Sequence, residues 1–399
     1  MVKEKLWTLP YIGMSASSFF QYMIHYTLLA ALPVFAIQEL QQSDHEAGLT
    51  LTFFQIGAVL FRPFAGRWID EWSKRKVVFV TLALSCLVCF LYGFAQGAFF
   101  LLLLRFIHGA AFSTGTTATA TMAALFSPLS RKGEGIGYFS VFTSLAMVVG
   151  PFVGLAVIHS YSFTILFSVC FILSLCAFVG GNGVSFKTMN LQRAVTSRRN
   201  FNWRNFVEPK ALPVALTGVL LAFVYSSLLT FLPLYARSLG MLEAASYFFA
   251  VYAAVIVISR PFIGKAFDRF GAKFIVYGAV VVYCSGFLLL GFSNNLLQFL
   301  LSGAVIGLGF GGLNPTFQTL AILAAPPERS GLATATYFLS LDVGVGLGSF
   351  LLGIIVSYSN YHILYLFCAG CVVLLGFLYY FCCERNKAVK SESRFCENS

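Results

Sequence analysis

"RPFAGRWID", Arg62 to Asp70, returns 198 positions later as "RPFIGKAFD", Arg260 to Asp268, in a chain of 399 residues. Both phrases place Arg-Pro-Phe, a glycine, a basic residue and an aspartate at identical spacing. The match continues outward. At the same offset "IHGAAF", ending at Phe112, meets "IGLGF", ending at Phe310; Arg131-Lys132-Gly133 meets Arg329-Ser330-Gly331, and Gly150 meets Gly348. Upstream, Leu28–Leu40 aligns with Leu228–Gly240 at an offset of 200, a change that one loop longer by two residues explains. Chance similarity between apolar segments gives one such match, not five in order. The chain is a duplication, its halves parallel repeats about an axis along the membrane normal.

The membrane itself follows from composition. Hydrophobic residues make up 58% of the chain and charged residues 10%, with 44 phenylalanines. A soluble domain carries roughly a quarter charged residues, so too few are present to cover a surface facing water. Apolar runs of the ~20 residues that cross hydrocarbon as a helix recur throughout. Barrel strands, short and alternating, do not fit. Twelve spans are expected, centred near Met23, Val59, Leu84, Thr114, Met147, Leu173, Val224, Ala254, Val282, Gly309, Gly344 and Val372. The expected fold is an all-α membrane protein of two six-helix bundles, residues 1–185 and 211–383. A cytoplasmic linker, 186–210, joins them, and a tail, 384–399, follows.

Basic residues fix the orientation. With both termini in the cytoplasm, 22 of the 26 lysines and arginines fall in cytoplasmic segments, while the first outer loop, "QELQQSDHEAG", has three acids and no lysine or arginine. This is the positive-inside asymmetry. The net charge of +11 thus reflects topology and contact with the lipid bilayer, and its dispersal over seven short segments argues against nucleic acid. No cleavable signal peptide is expected after "MVKEK", because the apolar stretch is too long. Cys86/Cys89 and Cys368/Cys371 lie one helical turn apart with no histidine or acid beside them. They are read as small core residues, and no metal is expected.

The architecture and motifs resemble the major facilitator superfamily over essentially the whole chain. "GRWIDEWSKRK" looks like the superfamily's loop signature between spans two and three: Gly66, Asp70, Lys74 and Arg75 match, while Ser73 and Glu71 depart from it. The second copy keeps Gly264, Asp268, Arg269, Gly271 and Lys273. The resemblance implies that Asp70 is a cytoplasmic gate residue. Physically, a glycine near a helix end permits close approach, and an aspartate there can cap an opposing helix N-terminus. A simple loop cap with positive-inside charges is the competing reading, equal in weight for Asp268.

Three spans carry the remaining polar chemistry. In span four Arg105 sits in an apolar run, where an ionisable group normally faces a pathway or a partner; snorkelling to the interface is the alternative. Arg105-x-x-His108-Gly109 resembles the span-four motif of proton-driven drug antiporters, with histidine in place of glutamine. His108 either titrates or serves as a hydrogen-bonded neighbour. In span five Gly137, Gly150-Pro151 and Gly154 resemble the antiporter glycine signature, with Ala146 and Leu155 replacing two of its glycines. The resemblance implies export, and helix packing alone remains the other reading. In span eleven Asp342 lies among glycines and apolar residues. A carboxylate there can load and release a proton as its surroundings alternate between wet and dry. Asp342 is the leading candidate for proton coupling or for binding a cationic group, against an ion pair held for structure. His25 in span one is a further candidate, against polar packing.

Aromatic side chains expected on inner faces are Tyr22, Tyr26, Tyr138, Phe142, Tyr225 and Tyr252, which suit cation–π contact and stacking. Asn314-Pro315 is expected to break span ten. No phosphate-cradling loop, zincin motif or nucleophile triad is present in the sequence, so an enzyme is the weaker class. No cofactor is expected, and an ion gradient, of protons, is expected to drive transport. The reading is a monomeric secondary transporter of the cell membrane, exporting small amphiphilic molecules as residues 11–183 rock against 213–380. Export of a siderophore or opine-type metallophore, or proton-coupled uptake of a small polar nutrient, are the alternatives.

Overall fold

The structure is a computed structural model that describes residues 5–42, 44–183, 205–241 and 243–385. Most of the expected linker and tail, with Lys187, Arg193, Arg198, Arg199, Arg204, Lys387, Lys390 and Arg394, lies outside the described residues, as does Lys3. The described residues are almost entirely helical: α1 Leu9–Gln38, α2 Asp44–Glu71, α3 Lys74–Leu91, α4 Ala98–Phe126, α5 Lys132–Ser160, α6 Phe163–Asn182, α7 Leu212–Ser238, α8 Ala244–Gly291, α9 Leu296–Ala324, α10 Ser330–Tyr358 and α11 Tyr361–Tyr379. Among the described residues eleven helices are long and apolar enough to cross a membrane.

Local sequence sets several boundaries. Thr8 caps α1 by accepting from the Tyr11 N–H at 3.4 Å, with Pro10 just inside the helix, and Asn360 caps α11 through the Ile363 N–H at 2.9 Å. Both are favoured N-terminal arrangements, because a side-chain oxygen satisfies an otherwise orphaned donor. α8 is 48 residues long but is interrupted at Gly271, which has φ 81° and ψ 168°. At ~1.5 Å per residue an unbroken α8 would be about twice as long as hydrocarbon is thick. Two of the expected centres, Ala254 and Val282, fall in α8 on opposite sides of this glycine. α9, in contrast, runs unbroken through Pro315. The expected break at Asn314-Pro315 does not occur; the Tyr337 hydroxyl donates to the Asn314 carbonyl at 2.9 Å and to its side-chain oxygen at 2.7 Å.

The chain forms two compact units. In the first, α1 packs on α4, α5 and α6, α2 packs on α4, and α3 packs on α4 and α6. Its apolar core joins Leu28 and Leu32 of α1 to Val88 and Cys89 of α3, Leu104 of α4 and Cys170 of α6. The unit also takes in Ala325–Thr336, the approach to α10 and its first turns, residues that sequence reading counts with the second half. In the second unit α8 packs on α9 and α11, and α7 packs on α9 and α11.

The duplication is visible in how each unit is packed. In the first, Gly150 and Gly154 of α5 abut α1: a Cβ on Gly150 would lie 2.6 Å from the Tyr26 Cβ, and one on Gly154 2.7 Å from the Thr27 carbonyl oxygen. The Thr27 hydroxyl donates to the Gly150 carbonyl at 3.0 Å. In the second, Gly348 of α10 abuts α7 at Phe223 and Ser226. Such contacts matter in lipid, where helices associate through close backbone approach and not through a hydrophobic drive.

Candidate functional site

Three polar centres emerge from the side chains. The first lies where α2 ends against the start of α10, within the first unit. Asp70, 3% exposed, accepts from the Gly331 N–H and the Leu332 N–H, each at 2.8 Å. A carboxylate spread over two free N–H groups of a helix N-terminus is favourable by both hydrogen bonding and dipole. Glycines make the approach possible: a Cβ on Gly66 would sit 2.7 Å from the Ala335 Cβ, and one on Gly331 2.6 Å from Asp70 Oδ1. Lys74 donates to the Ile69 carbonyl at 3.3 Å, while Arg75 is exposed.

Residues 206 and 208 brace the same junction. Phe206 packs edge-on against Phe64 at 5.2 Å and receives the Arg67 guanidinium at 5.4 Å, and Arg67 pairs with Glu71 at 2.9 Å. Glu208, 2% exposed, pairs with Arg329 at 2.6 Å, and its N–H donates to the Thr336 hydroxyl at 2.9 Å. The repeat matches Gly331 to Gly133, but no motif in the sequence marks Glu208 or Phe206. The second copy of the phrase is built differently. Gly264 is buried, but Asp268 and Arg269 are exposed, with the Arg269 guanidinium 5.1 Å from the Phe270 ring.

The second centre lies between α1, α2 and α4. α2 and α4 meet through reciprocal glycines, Gly57 against the Phe106 carbonyl and Gly109 against the Phe54 carbonyl, leaving no room for a Cβ at either. That approach puts Phe54 beside Arg105, whose guanidinium lies 4.4 Å from the ring centroid. Arg105 is 1% exposed; its Nε donates to the Thr50 carbonyl at 3.0 Å, and its Nη1 has no partner. His108 Nδ1 meets the Tyr92 hydroxyl at 3.1 Å. His25 is stacked between Phe54 at 4.6 Å and Phe112 at 4.7 Å, its Nδ1 buried without a partner. Tyr22 stacks on Tyr26 at 6.3 Å and meets Phe112 edge-on at 5.1 Å. The expected candidates of spans one and four thus converge, and two rings not among the candidates join them: Phe54, and Phe112, which the sequence marks only as part of the repeat.

The third centre repeats that arrangement in the second unit. Tyr225 stacks on Tyr252 at 6.3 Å and on Phe310 at 4.6 Å. At the repeat offsets of 200 and 198 these three are the counterparts of His25, Phe54 and Phe112. Gly307, counterpart of Gly109, again lies on the carbonyl of the central ring residue, Tyr252, at 2.6 Å for a built Cβ. Asn314 is engaged by Tyr337, and Asp342 is half-buried, twelve residues into α10 and so ~18 Å along it at 1.5 Å per residue. Tyr138 meets Trp7 edge-on at 4.8 Å, and Phe142 is half-buried. Gly137 and Gly150 are buried and Pro151 half-buried in α5.

A family described as Major Facilitator Superfamily matches residues 14–283 and 242–395. The staphylopine export protein of Staphylococcus aureus is 23% identical over 344 residues, covering 82% of this chain and 85% of that protein. The multidrug resistance protein MdtG of Proteus mirabilis is 27% identical over 264 residues, covering 61% and 63%. Among solved structures, the Major Facilitator Superfamily transporter FucP in the outward conformation superposes with a TM-score of 0.79 at 15% identity, covering 95% of this chain and 100% of that one.

Proposed function

Because this chain belongs to the Major Facilitator Superfamily, a family of membrane transporters and not of enzymes, we propose that it is a proton-coupled exporter of small amphiphilic molecules working by alternating access. The proposed topology has twelve spans, α8 counting as two on either side of Gly271, with both termini cytoplasmic in the cell membrane. The protein acts as a monomer and needs no cofactor. Similarity to proteins named for staphylopine export and multidrug resistance supports the outward direction, as does the glycine signature of α5.

The observation that carries alternating access is the Asp70 carboxylate bonded to two N–H groups at the start of α10. Such a contact is compact, polar and reversible, which suits a gate. Asp342 is the proposed proton carrier: it is the one acidic residue of α10 far from the helix ends, where a carboxylate is expensive unless it functions. The second reading, export of a metal-chelating opine-type molecule, is favoured by the length of the match to the staphylopine exporter.

The test uses purified protein in liposomes enclosing a pH-sensitive dye, with an imposed substrate gradient, screening cationic dyes and then zwitterionic chelators. Substrate-driven proton movement in wild type that disappears in Asp342→Asn is the expected result. Substrate flux without proton movement would remove Asp342 from its role. Proton-coupled accumulation in the inward direction would replace export with uptake.

A further inference from the structure

The two aromatic triads differ in charge, and that difference bears on what the protein carries. In the first unit the His25–Phe54–Phe112 stack sits beside Arg105. His25 lies within electrostatic range of both Arg105 and Arg62, and Arg62 is 5% exposed. The acidic residues of α1–α6 fall only in the terminal turns of their helices: Asp44, Glu46, Asp70, Glu71 and Glu134. Asp70 is already engaged with Gly331 and Leu332.

In the second unit the position equivalent to Arg105 is Gly303, and the position equivalent to Thr50 is Phe248. The Phe248 ring occupies the space: a Cβ on Gly303 would lie 3.0 Å from it, and Phe248 stacks on Tyr252 at 6.4 Å. The same triad is therefore built on a hydrocarbon filling in one repeat and on a guanidinium in the other. The scaffold does not need the charge.

A buried guanidinium is retained at considerable desolvation cost and normally meets an anion. Resting on the transporter reading above, we propose that this centre binds a carboxylate of the transported molecule, with Arg105 supplying the charge. His25 Nδ1 is the second donor, and the apolar body of the ligand lies along Phe112 and Tyr22. Three observations carry this: Arg105 Nη1 is buried without a partner, His25 Nδ1 is likewise buried without one, and both groups rest on Phe54. The favoured substrates are then organic anions or zwitterions with a flat apolar part, in preference to purely cationic amphiphiles.

The test is calorimetric binding to the purified full-length protein, with 2-naphthoate and 2-naphthylmethylammonium as probes of matched shape and opposite charge. Naphthoate is expected to bind at least tenfold more tightly. Arg105→Gln is expected to weaken it about 10- to 100-fold, the range of a hydrogen bond to a charged group, with little effect on the cation. Should Arg105→Gln fail to fold, judged by its thermal unfolding, His25→Gln at a half-buried position gives the same readout with a smaller loss.

Equal binding of both probes, or tighter binding of the cation, overturns the proposal. So does chloride that stabilises the protein and displaces naphthoate, because the site then belongs to an inorganic ion. Proton-coupled export of cationic dyes without naphthoate binding would sink the anion site and leave the exporter standing. Naphthoate binding without any flux would do the reverse.

Discussion

Asp70 and Gly331, 261 positions apart, are joined by a 2.8 Å hydrogen bond in which the backbone N–H of α10 donates to the carboxylate at the end of α2. The Leu332 N–H takes the other oxygen. Each oxygen therefore holds one of the donors that a helix N-terminus leaves open, and the glycines at 66 and 331 bring the backbones within reach.

Asp70→Asn keeps one acceptor and loses the charge. The expected loss is about 1–3 kcal/mol in the stability of this arrangement, read as a lower thermal unfolding midpoint in detergent together with a changed transport rate. Asp268→Asn, on an exposed residue, should move the midpoint much less. Equal effects at the two positions would mean that the buried cap is not what distinguishes them.

The Glu208–Arg329 pair is unequal: the Glu208 side chain is 2% exposed and that of Arg329 33%. Removing the cation takes the counter-charge from a buried carboxylate, whereas removing the carboxylate leaves an arginine that can reach water. Arg329→Gln should therefore destabilise more than Glu208→Gln. The double variant should reveal a coupling of about 1–3 kcal/mol, diminished by whatever solvent screens the arginine. Additive losses would show that the two residues act independently.

Two glycines on α10 give a matched pair of tests. A Cβ on Gly348 would lie 2.5 Å from the Phe223 carbonyl oxygen, whereas one on Gly346 meets nothing within 4 Å. Gly348→Ala is expected to cost about 1–3 kcal/mol through overpacking against α7. Gly346→Ala should be neutral or stabilising by about 0.5–1 kcal/mol, since alanine loses less backbone entropy in a helix. Comparing the unfolding midpoints of the two variants checks the packing of α10 on α7.

Gly271 adopts φ 81° and ψ 168°, a region open essentially to glycine alone. Gly271→Ala should therefore cost about 1–3 kcal/mol in backbone strain, although space around the Cβ is free. A stability equal to wild type would mean that the chain turns elsewhere between the halves of α8.

Much of this was legible in the residues themselves. Apolar runs and basic loops reveal a membrane protein because both signals are local, set by what hydrocarbon and an inner surface accept. The duplication was equally plain, since a repeat is a comparison of the chain with itself. From it came the pairing of Arg62–Asp70 with Arg260–Asp268 and of Gly150 with Gly348. Arg105 could be singled out because a charge in an apolar run needs no partner to be noticed.

Only the tertiary structure decided which copy of the phrase is buried. Asp70 and Asp268 look alike in sequence, and burial depends on what another helix brings to each. It also assigned Glu208 to Arg329 and set Phe54 between Arg105 and His25. Phenylalanine is the commonest aromatic residue here, with 44 in the chain, so nothing in its spacing distinguishes the ring that carries a guanidinium from those that face lipid. The contacts that give these residues meaning join helices far apart in the chain, and which surfaces meet is decided in space, so the spacing of residues along one helix does not name the partner on another.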